Sequence, residues 1–447
     1  MKRDARGLML ATDSDAAVAA LDLGTAHYLM AHADTMALIN AAIAADPGCV
    51  LARCMRAGLL LTNFNRADRA AIAACLDAAT AHAARATPRE RMHLAAVTAW
   101  QAGDLPHAFA VWRQLLADYP TDLFALRLAD NTLFRHGMTR DVRAQAEAAA
   151  PFWSPALPGY HSFATIRAFA QEEDGETAPA EAAIDAALAE DPTHYFAHHV
   201  KAHLLERGGR AEEGAAFMAA QVAHWGKGSN LIHHLWWHRA LLDLECRRFE
   251  AVLALYDAEV RNLDAPMTRA APDHFVDLVN ATSLLWRLSR HGVAVGARWE
   301  ELADKAEARA GDPGHILLLP HLMMALVAAG RIGAARHFLN ALRDAAPGRW
   351  NADALGGIVL TACAAVLAHG QGEHARVVAL LGARRAELRA LGGSNAQRDV
   401  VLQMLLVSAM RSGARDLVAA MLGDAGALYG APAGSRIGYA EAAQWHG

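Results

Sequence analysis

AEDPTHYFAHHVKAHLLE, residues 189–206, closes one helix-favouring run, turns at Asp191-Pro192 and opens a second run. Two earlier segments share this grammar: ADPGCVLARCMRAGLLL (45–61) and ADYPTDLFALRLADNTLF (117–134). Their prolines, Pro47, Pro120 and Pro192, lie 73 and 72 residues apart. Pro88 and Pro158 fall between them, giving steps of 41, 32, 38 and 34 residues. Proline cannot continue a helix but suits the first turn of the next one, so each proline predicts a junction. Breaks inside the units fall at Gly103-Asp104 and Gly208-Gly209-Arg210. The pattern continues through Glu245-Cys246-Arg247-Arg248-Phe249, Pro272, Gly330-Arg331 and Gly370-Gln371-Gly372.

A helix-turn-helix unit of about 34 residues is the tetratricopeptide period. Composition agrees with it. The 447 residues are 54% apolar but only 6% aromatic, and much of the apolar content is alanine, which favours closely packed helices over sandwiches or barrels. The predicted fold is all-α: a tetratricopeptide-like α-solenoid, a right-handed superhelix of helix-turn-helix repeats forming one domain over 1–447. Looser repeats are expected over 1–150, a core over 151–410 and a C-terminal cap over 411–447.

A net charge of −5 carries no electrostatic footprint for nucleic acid. The N-terminal segment lacks a sustained apolar region, and no stretch reaches 18 uncharged apolar residues, so no membrane span is expected. Five cysteines (Cys49, Cys54, Cys75, Cys246 and Cys363) with no C-x-x-C pair read as free thiols in a reducing compartment. The expected location is cytoplasmic.

Histidine carries the functional signal. Eight of the 23 lie between His194 and His238, where an even spread would put about two. His199-x3-His203, with Glu206 at i+3, lies on the first helix of the unit opened by Pro192, and His234-x3-His238 on the first helix of the next. Residues four apart share a helix face. The two pairs are offset by 35 residues, one repeat, so the four imidazoles and Glu206 are predicted to converge on the inner surface of the array. His199, His203, His234 and His238 are thereby candidate ligands for a divalent metal. No H-E-x-x-H signature supports the metal, and packing between helices or a metal-free pocket are the other readings of the same spacing. His194, His198, His224 and His233 fall on other faces and read as surface or packing residues.

Tyr195, Phe196, Trp225, Trp236 and Trp237 surround the cluster, and Trp237, beside His238, is the best pocket-lining candidate. Tyr160, His161 and Arg167 lie on the preceding unit, with Glu172-Glu173 at its end. Asp273, His274 and Asp277 lie on the following helix and can set acids opposite the imidazoles. Gly226-Lys227-Gly228-Ser229 lacks the spacing of a phosphate loop.

Five segments resemble the tetratricopeptide repeat protein 38 family, pointing to a bacterial member: HHVKAHLLE (198–206), HHLWWHRALLDLE (233–245), LLWRLSRHGVAVGARWEEL (284–302), GHILLLPHLMMAL (314–326) and GGSNAQRDV (392–400). They follow the family's order over residues 160–405. The resemblance implies a helical-repeat fold and a cytoplasmic protein, and it brings no biochemical activity. Its pattern falls on His199, His203, Glu206, His234, Trp237, His238, Asp277 and Ser394 to Asp399. Here Pro320 precedes His321, where the family often has an acidic residue, which puts any role for an acid at that point in doubt.

In the last of these motifs Gly392-Gly393 end one helix and Ser394 or Asn395 caps the next. Arg398 and Asp399 read either as a brace for the last repeats or, with Asn395 and Gln397, as polar contacts for a substrate carboxylate or phosphate. The expected function is a pocket that binds a small polar ligand, with its transformation by acid–base or metal-assisted chemistry left open. His203, His238, Glu206 and Asp277 are its candidate catalytic groups; Tyr160, Glu172, Trp237, Asn395 and Arg398 are its candidate substrate contacts. The alternative is a non-catalytic scaffold holding a peptide or protein partner, and homo-oligomerisation is open in either case.

Overall fold

A computed structural model describes residues 1–63 and 66–446. It is three-quarters helical; among the described residues the only strands are Lys2–Arg3 and Met9–Leu10, paired antiparallel. The three matching prolines share one register. Helices end at Ala45, Asp118 and Glu190, and the next begin at Val50, Leu123 and Tyr195. Pro47, Pro120 and Pro192 therefore occupy the connecting turn, not the first helical turn. Pro88 does open a helix, Pro88–Gln101, behind a reciprocal cap between Thr87 and Glu90. The glycine breaks also fall between helices: Gln101 to Leu105, Arg207 to Ala211 and Ala328 to Ile332.

The chain divides into two compact units interleaved in sequence. The first comprises Met1–Phe134, Met138–Lys201 and Val222–Ile232; the second comprises Arg135–Gly137, Ala202–Gln221 and His233–Gly447. The division passes inside helix Tyr195–Arg207.

In the first unit consecutive helices pack as hairpins: Asp15–Met30 with Thr35–Ala45, Val50–Thr62 with Arg69–Ala81, Pro88–Gln101 with Leu105–Asp118, and Tyr160–Glu173 with Thr177–Glu190. Their short connections make the partners antiparallel. Fully buried Ala42, Ala79, Ala108, Ala180 and Ala187 line these seams, where a small side chain lets helices approach closely.

In the second unit helix Phe275–Arg290 packs on Leu318–Ala328, which packs on Leu360–Gly370. Helix Asn395–Arg411 touches both Leu360–Gly370 and Phe275–Arg290. These four helices therefore close on one another, and polar groups on their inner faces are removed from water. The segment Ala352–Gly370 is 19 residues long with mean hydropathy 1.6, by length and composition alone enough to cross a membrane. With 56% of its apolar window buried against neighbouring helices, it reads as a core helix. All five cysteines are free, and four of them are buried.

The turn before helix Asn395–Arg411 carries the tightest backbone approach in the second unit. Gly392 has φ 73° and ψ −173°, a region open in practice only to glycine. A Cβ there would also fall inside the van der Waals surface of the Arg135 carbonyl. Gly392→Ala is expected to destabilise by more than the roughly 1–3 kcal/mol that the backbone region alone costs. Gly372→Ala, at φ 74° with open space around the position, supplies the comparison. Urea unfolding of the two variants checks this: equal losses would show that the contact with Arg135 adds nothing.

Candidate histidine centre

Helix Leu231–Glu245 carries His234, Trp237 and His238 at i, i+3 and i+4, so all three leave one face. Helix Phe275–Arg290 answers with Asp277, Asn280, Ser283 and Arg287 at the same kind of spacing. His203 comes from the part of helix Tyr195–Arg207 that belongs to the second unit. One ring nitrogen from each of His203, His234 and His238 lies within 4.8 Å of the other two. The ring centroids of His203 and His238 are 4.5 Å apart and those of His234 and His238 are 4.6 Å apart. The Nε2 atoms of His234 and His238 face each other at 3.2 Å.

The opposite ring edges are backed. His234 Nδ1 meets the Asn280 amide, with Oδ1 at 3.2 Å and Nδ2 at 3.0 Å. His238 Nδ1 is 3.8 Å from Glu206 Oε2. Glu206 Oε1 accepts from the Arg436 guanidinium at 2.9 Å, which also pairs with Glu245 at 3.3 Å. Trp237 stacks on His234 with centroids 5.1 Å apart and planes 13° apart, and its indole N–H donates to Ser283 Oγ at 3.1 Å. Burial, and then the charges of neighbouring histidines, hold His234 and His238 well below the usual imidazole pKa. Both rings are neutral at pH 7, so each has a lone pair to offer.

Asp277 is the unusual carboxylate. It is 1% exposed, and neither oxygen takes a hydrogen bond among the described residues. Its Oδ1 is 3.2 Å from His274 Nδ1, outside hydrogen-bond geometry, and its charge raises the pKa of His234. A buried carboxylate without donors costs several kcal/mol unless something compensates its charge.

The remaining sequence candidates lie as follows. His199 stands one turn before His203 on the same helix, in the first unit, stacked on Phe196 and beside Phe169, each at 5.5 Å. Tyr160 and Glu172 occupy opposite ends of helix Tyr160–Glu173 in the first unit. Twelve residues at 1.5 Å rise separate them by about 18 Å, too far to share one small-molecule subsite. Asn395 and Arg398 engage each other: Arg398 donates to Asn395 Oδ1 at 2.7 Å and to the carbonyls of Gly392 and Gly393. Gln397 and Ser394 form a reciprocal cap. These contacts close the turn itself, and a clamp on a substrate carboxylate or phosphate would have to break them. The packing histidines behave as expected: His194 meets Ser162 at 3.3 Å, His198 accepts from Trp225 at 3.2 Å, and His233 bonds the Glu259 carbonyl at 2.6 Å.

Asn280, Ser283 and Arg436 were not anticipated. The 3-3-4 spacing of Asp277, Asn280, Ser283 and Arg287 was a readable signal. Arg436 reaches Glu206 across 230 residues of sequence, and no local pattern announces that. No protein-family model matches the chain.

Proposed function

We propose that the chain is a tetratricopeptide-type repeat protein, akin to the tetratricopeptide repeat protein 38 family. In this reading its second unit holds a divalent metal on His203, His234 and His238 and acts there on a small polar ligand. The 3.2 Å separation of the His234 and His238 Nε2 atoms carries the proposal. Metal–nitrogen bonds of about 2.0–2.1 Å in a tetrahedron set the ligand nitrogens roughly 3.3–3.4 Å apart, close to that distance. Two further features support it. Neutral, buried imidazoles are ready ligands, and Asn280 and Glu206 stand where partners that orient metal-bound histidines are found.

His203, His234 and His238 would hold the metal, which would supply Lewis-acid polarisation of a bound ligand or water. His234, with Nδ1–H directed to Asn280 Oδ1, keeps its Nε2 lone pair inward. Glu206, held by Arg436, balances the charge gained by His238. Asp277 is the candidate acid–base group: a buried carboxylate 3.2 Å from His274 Nδ1 and within electrostatic reach of His234. A metal would give the charge of Asp277 a counterpart.

The test is elemental analysis of untagged protein, as purified and after zinc reconstitution and desalting. About one equivalent is expected at this centre. His238→Ala should abolish it, whereas His224→Ala, at an exposed position off the cluster, should retain it. Absence of any metal that depends on His238 would sink the proposal.

A further inference from the structure

We infer a second divalent-cation site, in the first unit, formed by His27, His32 and Asp34. Three ligand atoms, one from each residue, lie within 4.8 Å of one another. His27 Nδ1 is 2.6 Å from Asp34 Oδ1, and the His27 and His32 rings stack with centroids 4.6 Å apart.

The loop is built to hold this arrangement. Helix Asp15–Met30 ends at Ala31, one of only two non-glycine residues with positive φ among the described residues (65°). That left-handed turn folds His32 back, and its amide donates to the His27 carbonyl at 2.8 Å. A non-glycine residue in this region costs of order 1–3 kcal/mol and persists only where its surroundings enforce it. The enforcement comes from the segment 227–229. Ala33 N donates to the Lys227 carbonyl at 2.9 Å and Ser229 N to the Ala31 carbonyl at 2.8 Å, so His32 pairs with Gly228 as an isolated bridge. Tyr195 packs against the His32 ring at 4.8 Å.

An ordinary surface ion pair explains His27 and Asp34 but not the inner edge of the His32 ring, whose other contact is with the Thr193 backbone. Its Nε2 is out of contact with solvent and takes no hydrogen bond among the described residues, and burial holds its pKa below the usual value. A neutral imidazole pressed against a second imidazole, with a carboxylate beside both, is a set of donors waiting for a cation. Two imidazoles and one carboxylate suit zinc and its neighbours rather than calcium or magnesium, which prefer oxygen ligands alone. The Asp34 side chain is 58% exposed, so the cation would arrive from solvent and keep water on its open positions.

Cobalt(II) titration of the untagged, chelator-stripped full chain tests the site, followed by visible absorbance and calorimetry. Wild type should bind one equivalent that His32→Ala removes and His238→Ala leaves. Asp34→Asn, at an exposed position that makes no side-chain cap bond to its helix, should weaken that equivalent at least about tenfold, the loss typical even of residues one step removed from a metal. Binding that survives both His32→Ala and Asp34→Asn unchanged overturns the inference. Because the central histidines are read out separately by His238→Ala, either site can fail without the other.

Discussion

Arg436→Ala is expected to cost the second unit about 3–5 kcal/mol, the range for removing one partner of a buried ion pair. Arg436 is 6% exposed. Its guanidinium donates to the Glu206 carbonyl at 3.0 Å and to Oε1 at 2.9 Å, lies 3.3 Å from Glu245 Oε1 and covers the Tyr429 ring at 3.8 Å. Removing it leaves two buried carboxylates facing each other. Burial already raises the Glu245 pKa, with Arg436 opposing that rise. In the variant Glu245, without the opposing charge, should bind a proton more readily than in the unfolded chain. Relative to wild type at the same pH, the deficit should therefore shrink as pH falls from 8 toward 5.5. Glu206→Gln and Glu245→Gln placed on the Arg436→Ala background should restore much of the loss, since neutral groups are far cheaper to bury. Urea unfolding across this set is the measurement. A pH-independent deficit, unrelieved by the glutamines, would mean that Arg436 acts only through its contact with Tyr429.

How far this arrangement could be read from sequence depends on the distance over which each signal acts. Helix boundaries depend on proline, glycine and capping residues within a few positions, so Pro47, Pro120 and Pro192 mark their turns with a single register. The His234/His238 pair is equally local, because 3.6 residues per turn puts i and i+4 on one face. What pairs with that face is a tertiary matter. Asn280 meets His234 because two helices cross at a particular rotation, and Arg436 reaches Glu206 because the chain returns after 230 residues. Asn395 and Arg398 read from sequence as polar side chains in a turn, and three residues apart they are also well placed to bond each other. Tyr160 and Glu172 stand three turns apart on one helix.

Stability should collapse between pH 6.5 and pH 4, and most steeply in the second unit. Burial pushes His136 and His321 down to about 4 and holds His315 well below its ordinary value. Burial keeps His321 neutral even though its Nδ1–H donates to the Leu317 carbonyl at 2.8 Å, a bond that by itself favours the charged ring. In the first unit, away from the proposed metal ligands, His194 is the deepest of these groups, pushed down to about 3. A histidine whose folded pKa is depressed contributes stability that is intact above about pH 6.5. The contribution is lost as pH falls, because only the unfolded chain takes up the proton. Each such group adds roughly 1.4 kcal/mol per pH unit to the slope, so His136, His315, His321 and His369, the last also pushed down to about 4, give roughly 5.6 in the second unit against roughly 2.8 for His194 and His198 in the first. Against a total of about 5–15 kcal/mol, one to two pH units are enough to unfold the steeper unit. Hydrogen exchange at pH 7, 6 and 5, corrected for intrinsic rates, should show peptides from 275–411 losing protection before those from 138–190. His321→Gln should flatten the dependence by roughly 1.4 kcal/mol per pH unit while keeping a donor for Leu317. Equal protection in the two regions at pH 5 would mean that these buried rings take up protons in the folded chain. Their burial would then be open to water on the timescale of exchange, and the inner faces of the four closing helices could not be the dry environment on which the histidine centre depends.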